Sequence, residues 1–333
     1  MEKRAMKVNI LGSESLGVRG LSCVVETSSH KIVIDPGVAL GYLRHGLLPH
    51  PFQVVVGNEV RRQILRALED CTDIVISHFH GDHIPLVNAN PFQLSARLVT
   101  ATFQKPLLWS KGMDDVSPSM AKRCRDLSKV LGKKFPCSEG RTSKPLSFSR
   151  SMPHGEAKGH LGGVMMTRVE ESEEAFVHAS DIQLLERSPI EQILAWKPDV
   201  VLVSGPPLYL RHLSSRKRKK ARENALILAK EVPVFILDHH LLRNEEGYRF
   251  LEDLSASAGH KVFCAADYMG RRRLPLEAWR QRLYQDMPVP QGWHKAYAQG
   301  KFDMDAYKRW RGIDIRDIMR GKNEDLDQWN RFI

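Results

Sequence analysis

The segment Ser77-His78-Phe79-His80-Gly81-Asp82-His83 constrains this chain more than any other. Four potential metal ligands fall within six positions, directly behind Asp73 to Ser77, a short apolar run that reads as a buried strand. Imidazole and carboxylate are common ligands for zinc, iron and manganese. A strand end fixes the backbone, and the turn after it lets alternate side chains converge. His78 and His80 can share one metal, while Asp82 and His83 reach a second on the other side of the turn. The plainer alternative is a surface loop that is merely rich in histidine. Ordinary loops do not set such a group straight behind an apolar strand.

The rest of the chain supplies the layers such a site needs. Val8 to Leu11, Ser22 to Glu26 and Lys31 to Ile34 read as strands, the third stopped by Asp35-Pro36-Gly37. Asn58 to Asp70 has helical spacing, with Val60, Ile64, Leu65 and Leu68 on one face. Lys105 to Lys144 is looser, with one helical piece at Ser119 to Leu131. Strand signals return at Ser147 to Met152, Gly163 to Val169, Ala175 to Ala179, Val200 to Val203, Val234 to Leu237 and Lys261 to Cys264. Helices are expected at Pro189 to Trp196, Ser215 to Glu231, Arg249 to Gly259 and Leu276 to Gln285. Strands alternating with helices, with hairpins between, predict an α/β layered domain over residues 1–273. Residues 274–333 carry Trp293, Trp310 and Trp329 and read as a helical extension packed on that domain, with a dimer contact as one use for it.

Composition narrows the classes. No stretch approaches the roughly 18 apolar residues of a membrane span, and Met1 to Lys7 lacks the apolar core of a signal peptide. A cytoplasmic protein without a membrane partner is expected. The five cysteines are scattered and form no Cys-X-X-Cys pair, which argues against a thiolate zinc site or a disulfide framework. A net charge of +11 favours anionic partners such as RNA or DNA. The run Arg211 to Lys220 is the most cationic segment. It reads either as a phosphate-contacting patch or as a solvated helix face, and no stacking aromatic interleaves its charges.

His-X-His-X-Asp-His after a strand resembles the second motif of the metallo-β-lactamase superfamily. The others can be sought in order: Asp35 after Ile32-Val33-Ile34, His154 in Met152-Pro153-His154-Gly155, Asp181 in His178-Ala179-Ser180-Asp181, and His239 in Asp238-His239-His240. Glu14 to Arg19, Asp35 to Gly41, Gly205 to Leu210 and Asp238-His239-His240 further resemble an uncharacterised, chiefly archaeal branch of predicted metal-dependent hydrolases. The resemblance implies a four-layer αββα sandwich and a dinuclear site, with zinc the first expectation and manganese or iron the alternatives. It implies one metal on His78, His80 and His154, another on Asp82, His83 and His239, Asp181 bridging them, and Asp35 supporting the ligands. Two positions have rivals. His160 in Gly159-His160-Leu161-Gly162-Gly163 competes with His154, and His240 competes with His239. The strand directly before Pro153-His154-Gly155, and the two-residue offset of His239 from its strand, favour His154 and His239.

Two metals would make hydroxide available near pH 7, with Asp82 and Asp181 shaping the site around it. His240 is the first candidate to protonate the leaving group, ahead of Asp238. It serves equally well as a hydrogen-bonding partner of a phosphate. Arg19 and Arg243 are candidate contacts for an anionic substrate, against the plainer reading of each as a salt bridge. A phosphodiesterase or nuclease is the leading expectation. An ester, thioester or lactone hydrolase and an iron-dependent sulfur oxygenase are the alternatives.

Overall fold

The computed structural model describes residues 6–157 and 159–315. Three antiparallel strands open the chain: β1 (Lys7–Gly12), β2 (Ser22–Glu26) and β3 (Lys31–Ile34). Helix α1 (Pro51–Glu69) carries the chain to β4 (Asp73–Ile76), parallel to β3, and β5 (Leu107–Ser110) adds in parallel to β4. Helix α2 (Pro118–Leu131) ends this half.

The second half follows the same plan. β6 (Thr142–Ser143) and β7 (Leu146–Phe148) form a hairpin, and β8 (Met152–Pro153) pairs with β9 (Gly163–Val164) as a separate ribbon. β10 (Thr167–Glu171) and β11 (Glu174–His178) continue the sheet antiparallel to β7. Helices α3 (Ser188–Ala195) and α4 (Ser215–Glu231) then lead to the parallel strands β12 (Val200–Val203) and β13 (Val234–Leu237). The sheet order is β13-β12-β11-β10-β7-β6, against β1-β2-β3-β4-β5 in the first. After these come α5 (Glu245–Ala258), α6 (Ala265–Tyr268), α7 (Arg280–Asp286), α8 (Trp293–Ala298) and a ribbon of β14 (Arg309–Trp310) and β15 (Ile313–Asp314).

Alternation along the strands builds the layers, since neighbouring side chains point to opposite faces. Ile10, Cys23, Val25, Ile32, Ile34 and Val75 share one apolar cluster with Phe148, Val169, Phe176 and Val201 of the second sheet. Their neighbours Leu11, Val24, Val33, Ile74 and Ile76 pack with Phe52, Val60 and Ile64 of α1 and Leu127 of α2. Ile193 of α3, Leu228 of α4 and Leu251 of α5 join the second sheet's cluster. The result is the expected α/β arrangement, helices outside two facing sheets.

Several elements differ from the sequence reading. Helix α1 starts at Pro51, not Asn58. Its first turns, Phe52-Gln53-Val54-Val55-Val56-Gly57, are buried on every side, so no apolar stripe marks them. Strand β5 lies inside the stretch read as loose. Lys261 to Cys264 forms no strand but one parallel bridge, Phe263 to Ile236. The helix expected from Leu276 begins at Arg280. Residues 274–315 contribute Leu274, Leu276, Trp279, Leu283, Trp293 and Trp310 to the cluster around α1. They hold the ribbon β14-β15 besides short helices. Trp329 lies outside the described residues.

Candidate metal centre

The site forms where strands end. Asp35 follows β3, Ser77 to His83 follow β4, His154 follows β8, Ser180 and Asp181 follow β11, and Asp238 to His240 follow β13. Asp35, Ser180 and His239 adopt φ of +50°, +54° and +22°. Residues other than glycine hold that conformation only where the surroundings compel it, and such positions concentrate at working sites. Two glycines let these loops touch. A Cβ on Gly37 would stand 2.2 Å from the backbone of His83 and Ile84. One on Gly20, at φ +131°, would meet the Asp82 carbonyl oxygen at 2.7 Å.

The centre is Asp181. Its Oδ2 lies 3.1 Å from His240 Nε2, 3.2 Å from those of His83 and His154, and 3.6 Å from those of His78 and His239. Its Oδ1 is buried with no hydrogen-bond partner. His80 reaches the cluster through Nδ1, 3.0 Å from His78 Nε2. Asp82 Oδ2 lies 3.5 Å from His239 Nε2. The donor atoms fall into sets with metal-ligand spacing: His78, His80, His154 and Asp181; Asp82, His83 and His239; Asp181, His239 and His240.

Outer partners fix which ring nitrogen faces inward. Asp35 accepts from the Ser77 N–H (2.8 Å), the Ser77 hydroxyl (2.5 Å) and His83 Nδ1–H (2.9 Å). The Ser77 hydroxyl oxygen in turn accepts from His78 Nδ1–H at 2.9 Å and from the Ser180 hydroxyl at 2.7 Å. Glu14 Oε2 accepts from His239 Nδ1–H at 2.6 Å. Each histidine bond fixes the ring at Nδ1 and turns its Nε2 toward Asp181, as carboxylate partners do for ligating histidines. Glu14, Ser77 and Ser180 were not singled out by the sequence reading. The only signal for Glu14 was its place in a motif, since it lies 225 residues from His239 in sequence.

Electrostatics divide the histidines. Burial, then His83 and His80, push His78 well below the ordinary range, and burial with His154 takes His80 to about 3. Both are neutral at pH 7 with lone pairs available. For His83 burial also favours the neutral form, but Asp181 and Asp35 outweigh it and raise the pKa. For His239 burial is again opposed, by Glu14 and Asp181, and the pKa rises to about 9. Those two protons sit among buried carboxylates where a cation would replace them. An orphaned Asp181 oxygen, inward lone pairs and displaceable protons together fit a divalent cation.

The remaining candidates fall as follows. Arg243 is buried and donates through Nε to Glu14 (2.7 Å) and through Nη1 to the Tyr209 hydroxyl (3.1 Å). Its Nη2 lies 3.1 Å from His239 Nε2 and 3.4 Å from Asp82 Oδ2. Arg19 is paired twice with Glu277, at 2.7 and 2.5 Å. His160 is exposed and enters none of the ligand sets. Asp238 accepts from the N–H groups of Ser15, His239 and Ala265, so it braces backbone. His240 is the most exposed of the five imidazoles around Asp181, with 11 % of its side chain accessible. Burial and Arg243 keep it neutral.

Residues 17–88 match a family model described as the metallo-beta-lactamase superfamily. A UPF0282 protein of Methanosarcina mazei is 50% identical, over 91% of this chain and 99% of its own length. Another, of Thermococcus onnurineus, is 33% identical over 84% of this chain and 95% of its own length. Among solved structures, an isothiocyanate hydrolase from Delia radicum gut bacteria aligns with a TM-score of 0.47 at 14% identity, covering 78% of this chain and 95% of that one. A metal-dependent hydrolase of the beta-lactamase superfamily aligns with a TM-score of 0.46 at 13% identity, covering 78% and 96%.

Proposed function

Because this chain belongs to the UPF0282 proteins, within the metallo-beta-lactamase superfamily, we propose that it is a metal-dependent hydrolase of phosphodiester bonds with two ions at its centre. The observation that carries the reading is the convergence of five imidazoles on Asp181, with Asp82 joined to them at His83 and His239. His78, His80 and His154 would hold one ion, and Asp82, His83 and His239 the other, with Asp181 between them. Zinc suits this nitrogen and oxygen set, and so do manganese and iron. Bound there, divalent ions supply Lewis acidity and activated water near neutral pH.

The chain's own groups do the rest. Glu14 and Asp35 hold ligand rings in place. Arg243 is paired with Glu14 and lies beside Asp82, so it holds the edge of the site in place. The net charge of +11 favours a phosphodiester over a neutral ester or lactone. His240, neutral and partly accessible, is placed to hydrogen-bond a substrate oxygen rather than to carry a labile proton. Hydrolysis of bis-p-nitrophenyl phosphate by metal-stripped protein, reloaded separately with zinc, manganese and iron, tests the reading. Metal-dependent turnover that vanishes in Asp181→Ala is expected. No turnover with any ion, from protein that binds metal, would move the substrate to another ester class.

A further inference from the structure

Beyond Arg243 lies a cleft of about 700 Å³ whose lining includes no ligand of the centre. Tyr209 lines it, and its hydroxyl accepts a hydrogen bond from Arg243. Arg243 in turn reaches Asp82 at 3.4 Å and His239 at 3.1 Å, so Tyr209 and Arg243 together link the cleft lining to the centre. Four arginines line it: Arg44, Arg211, Arg249 and Arg282. Arg44 lies over the Tyr209 ring at 5.4 Å and donates to the Arg243 carbonyl, but its buried Nε has no partner. Arg282 lies over the Trp279 ring at 5.6 Å. Arg211 and Arg249 are exposed and have no acidic partner among the described residues.

Of the two carboxylates in the lining, one is paired with a cation and the other keeps its charge, against four guanidinium groups. Glu246 is paired with Arg218 at 2.6 Å, and Glu245 accepts from Trp279 Nε1–H at 3.2 Å. Asn244, at the start of α5, makes no side-chain cap bond. Glu245 and Glu246 in its first turn offset the partial positive charge of that helix end, so the positive charge of the cleft comes from its guanidinium groups. Like charges do not gather at a concave surface without cost, and a bound anion removes that cost. Guanidinium groups match phosphate oxygens in bidentate pairs.

We propose that this cleft is a phosphate subsite, holding a second phosphate group of a substrate whose scissile phosphodiester lies at the metal centre. This rests on the proposed function for the identity of the scissile bond. It makes the substrate class one with at least two phosphates, as in an oligonucleotide or a nucleotide diester, rather than an isolated diester.

The test is calorimetric binding of inorganic pyrophosphate to the full metal-loaded chain, to Arg249→Ala/Arg282→Ala and to Asp181→Ala. Both arginines lie outside the ligand sets, and unchanged metal content and circular dichroism establish that the double variant is folded. Binding to the wild type and to Asp181→Ala, weakened at least tenfold in the arginine variant, is expected. Equal affinity in the arginine variant and the wild type overturns the proposal, as does binding lost only in Asp181→Ala. The measurement needs no turnover, so it is decided separately from the hydrolase reading. In kinetics, adding a 5′-phosphate to thymidine 3′-p-nitrophenyl phosphate should lower KM at least fivefold in the wild type and hardly at all in the arginine variant. An equal gain in both contradicts the subsite.

Discussion

Glu14 shows how much of a metal centre lies behind its ligands. A buried carboxylate is costly unless paired, and this one is held by His239 on one oxygen and Arg243 on the other. Glu14→Gln should leave the fold intact but weaken metal binding by roughly 10- to 100-fold, the usual cost of losing such a partner. Competition with a chelating dye reads this directly, and unchanged affinity would show that His239 is oriented by something else. His83 and His239 were legible in sequence because they follow strands. Glu14, Ser77 and Ser180 were not, because nothing local distinguishes a bracing carboxylate or hydroxyl from a surface one. Arg243 was legible as a candidate anion contact, but its burial against Glu14 depends on folding that joins residues 229 apart in sequence.

At the scale of an element, α1 departs most from its pattern. The helix is capped by His50, whose Nδ1 accepts from the Phe52 N–H at 3.1 Å while Nε2–H donates to the Met287 carbonyl at 2.8 Å. Both bonds require a neutral ring. Burial, aided by His294 and Arg280, pushes its pKa down to about 4 from an ordinary 6.5. Between those values the unfolded chain binds the proton and the folded one does not. Stability from this group is therefore full above pH 7 and is lost as pH falls from about 6.5 toward 4, by up to about 3 kcal/mol. His50→Asn keeps a capping side chain without the titration. The Tm of the wild type should fall more steeply than that of the variant between pH 7.5 and 5, and parallel curves would exclude His50 as the cause. Helix α4 is the converse case, legible to the residue at both ends. Four of its cations have acidic partners in the chain: Lys217 with Glu156, Arg218 with Glu246, Lys219 with Glu223 and Lys220 with Glu186. Reversing Arg218 should cost about 1–3 kcal/mol, since its guanidinium also donates to the carbonyls of Leu208 and Leu213. Chemical denaturation measures this, and an unchanged midpoint would make the contacts incidental.

Across the molecule, two similar halves each end parallel strands at one edge, and the ligands come from both. The alternating layers were readable because strand periodicity survives in short runs. The role of residues 274–315 was only outlined, because Trp279, Trp293 and Trp310 give no hint in sequence of which surface they cover. They cover α1. Removing everything after residue 273 strips that helix of its apolar cover and frees Arg19 from Glu277. Each large side chain so exposed costs on the order of 1.5–3 kcal/mol, so the truncated chain should fail to unfold cooperatively in calorimetry; a sharp transition near the full-length Tm would contradict the packing described. The central claim is that one carboxylate, Asp181, organises a metal centre drawn from both halves, and metal stoichiometry by mass spectrometry tests it most directly. Two ions per full-length chain are expected, with about one or none in His80→Ala and Asp181→Ala, both retaining native circular dichroism. Wild-type protein that takes up no divalent ion from a reloading mixture, or an Asp181→Ala variant that stays fully loaded, would contradict the account.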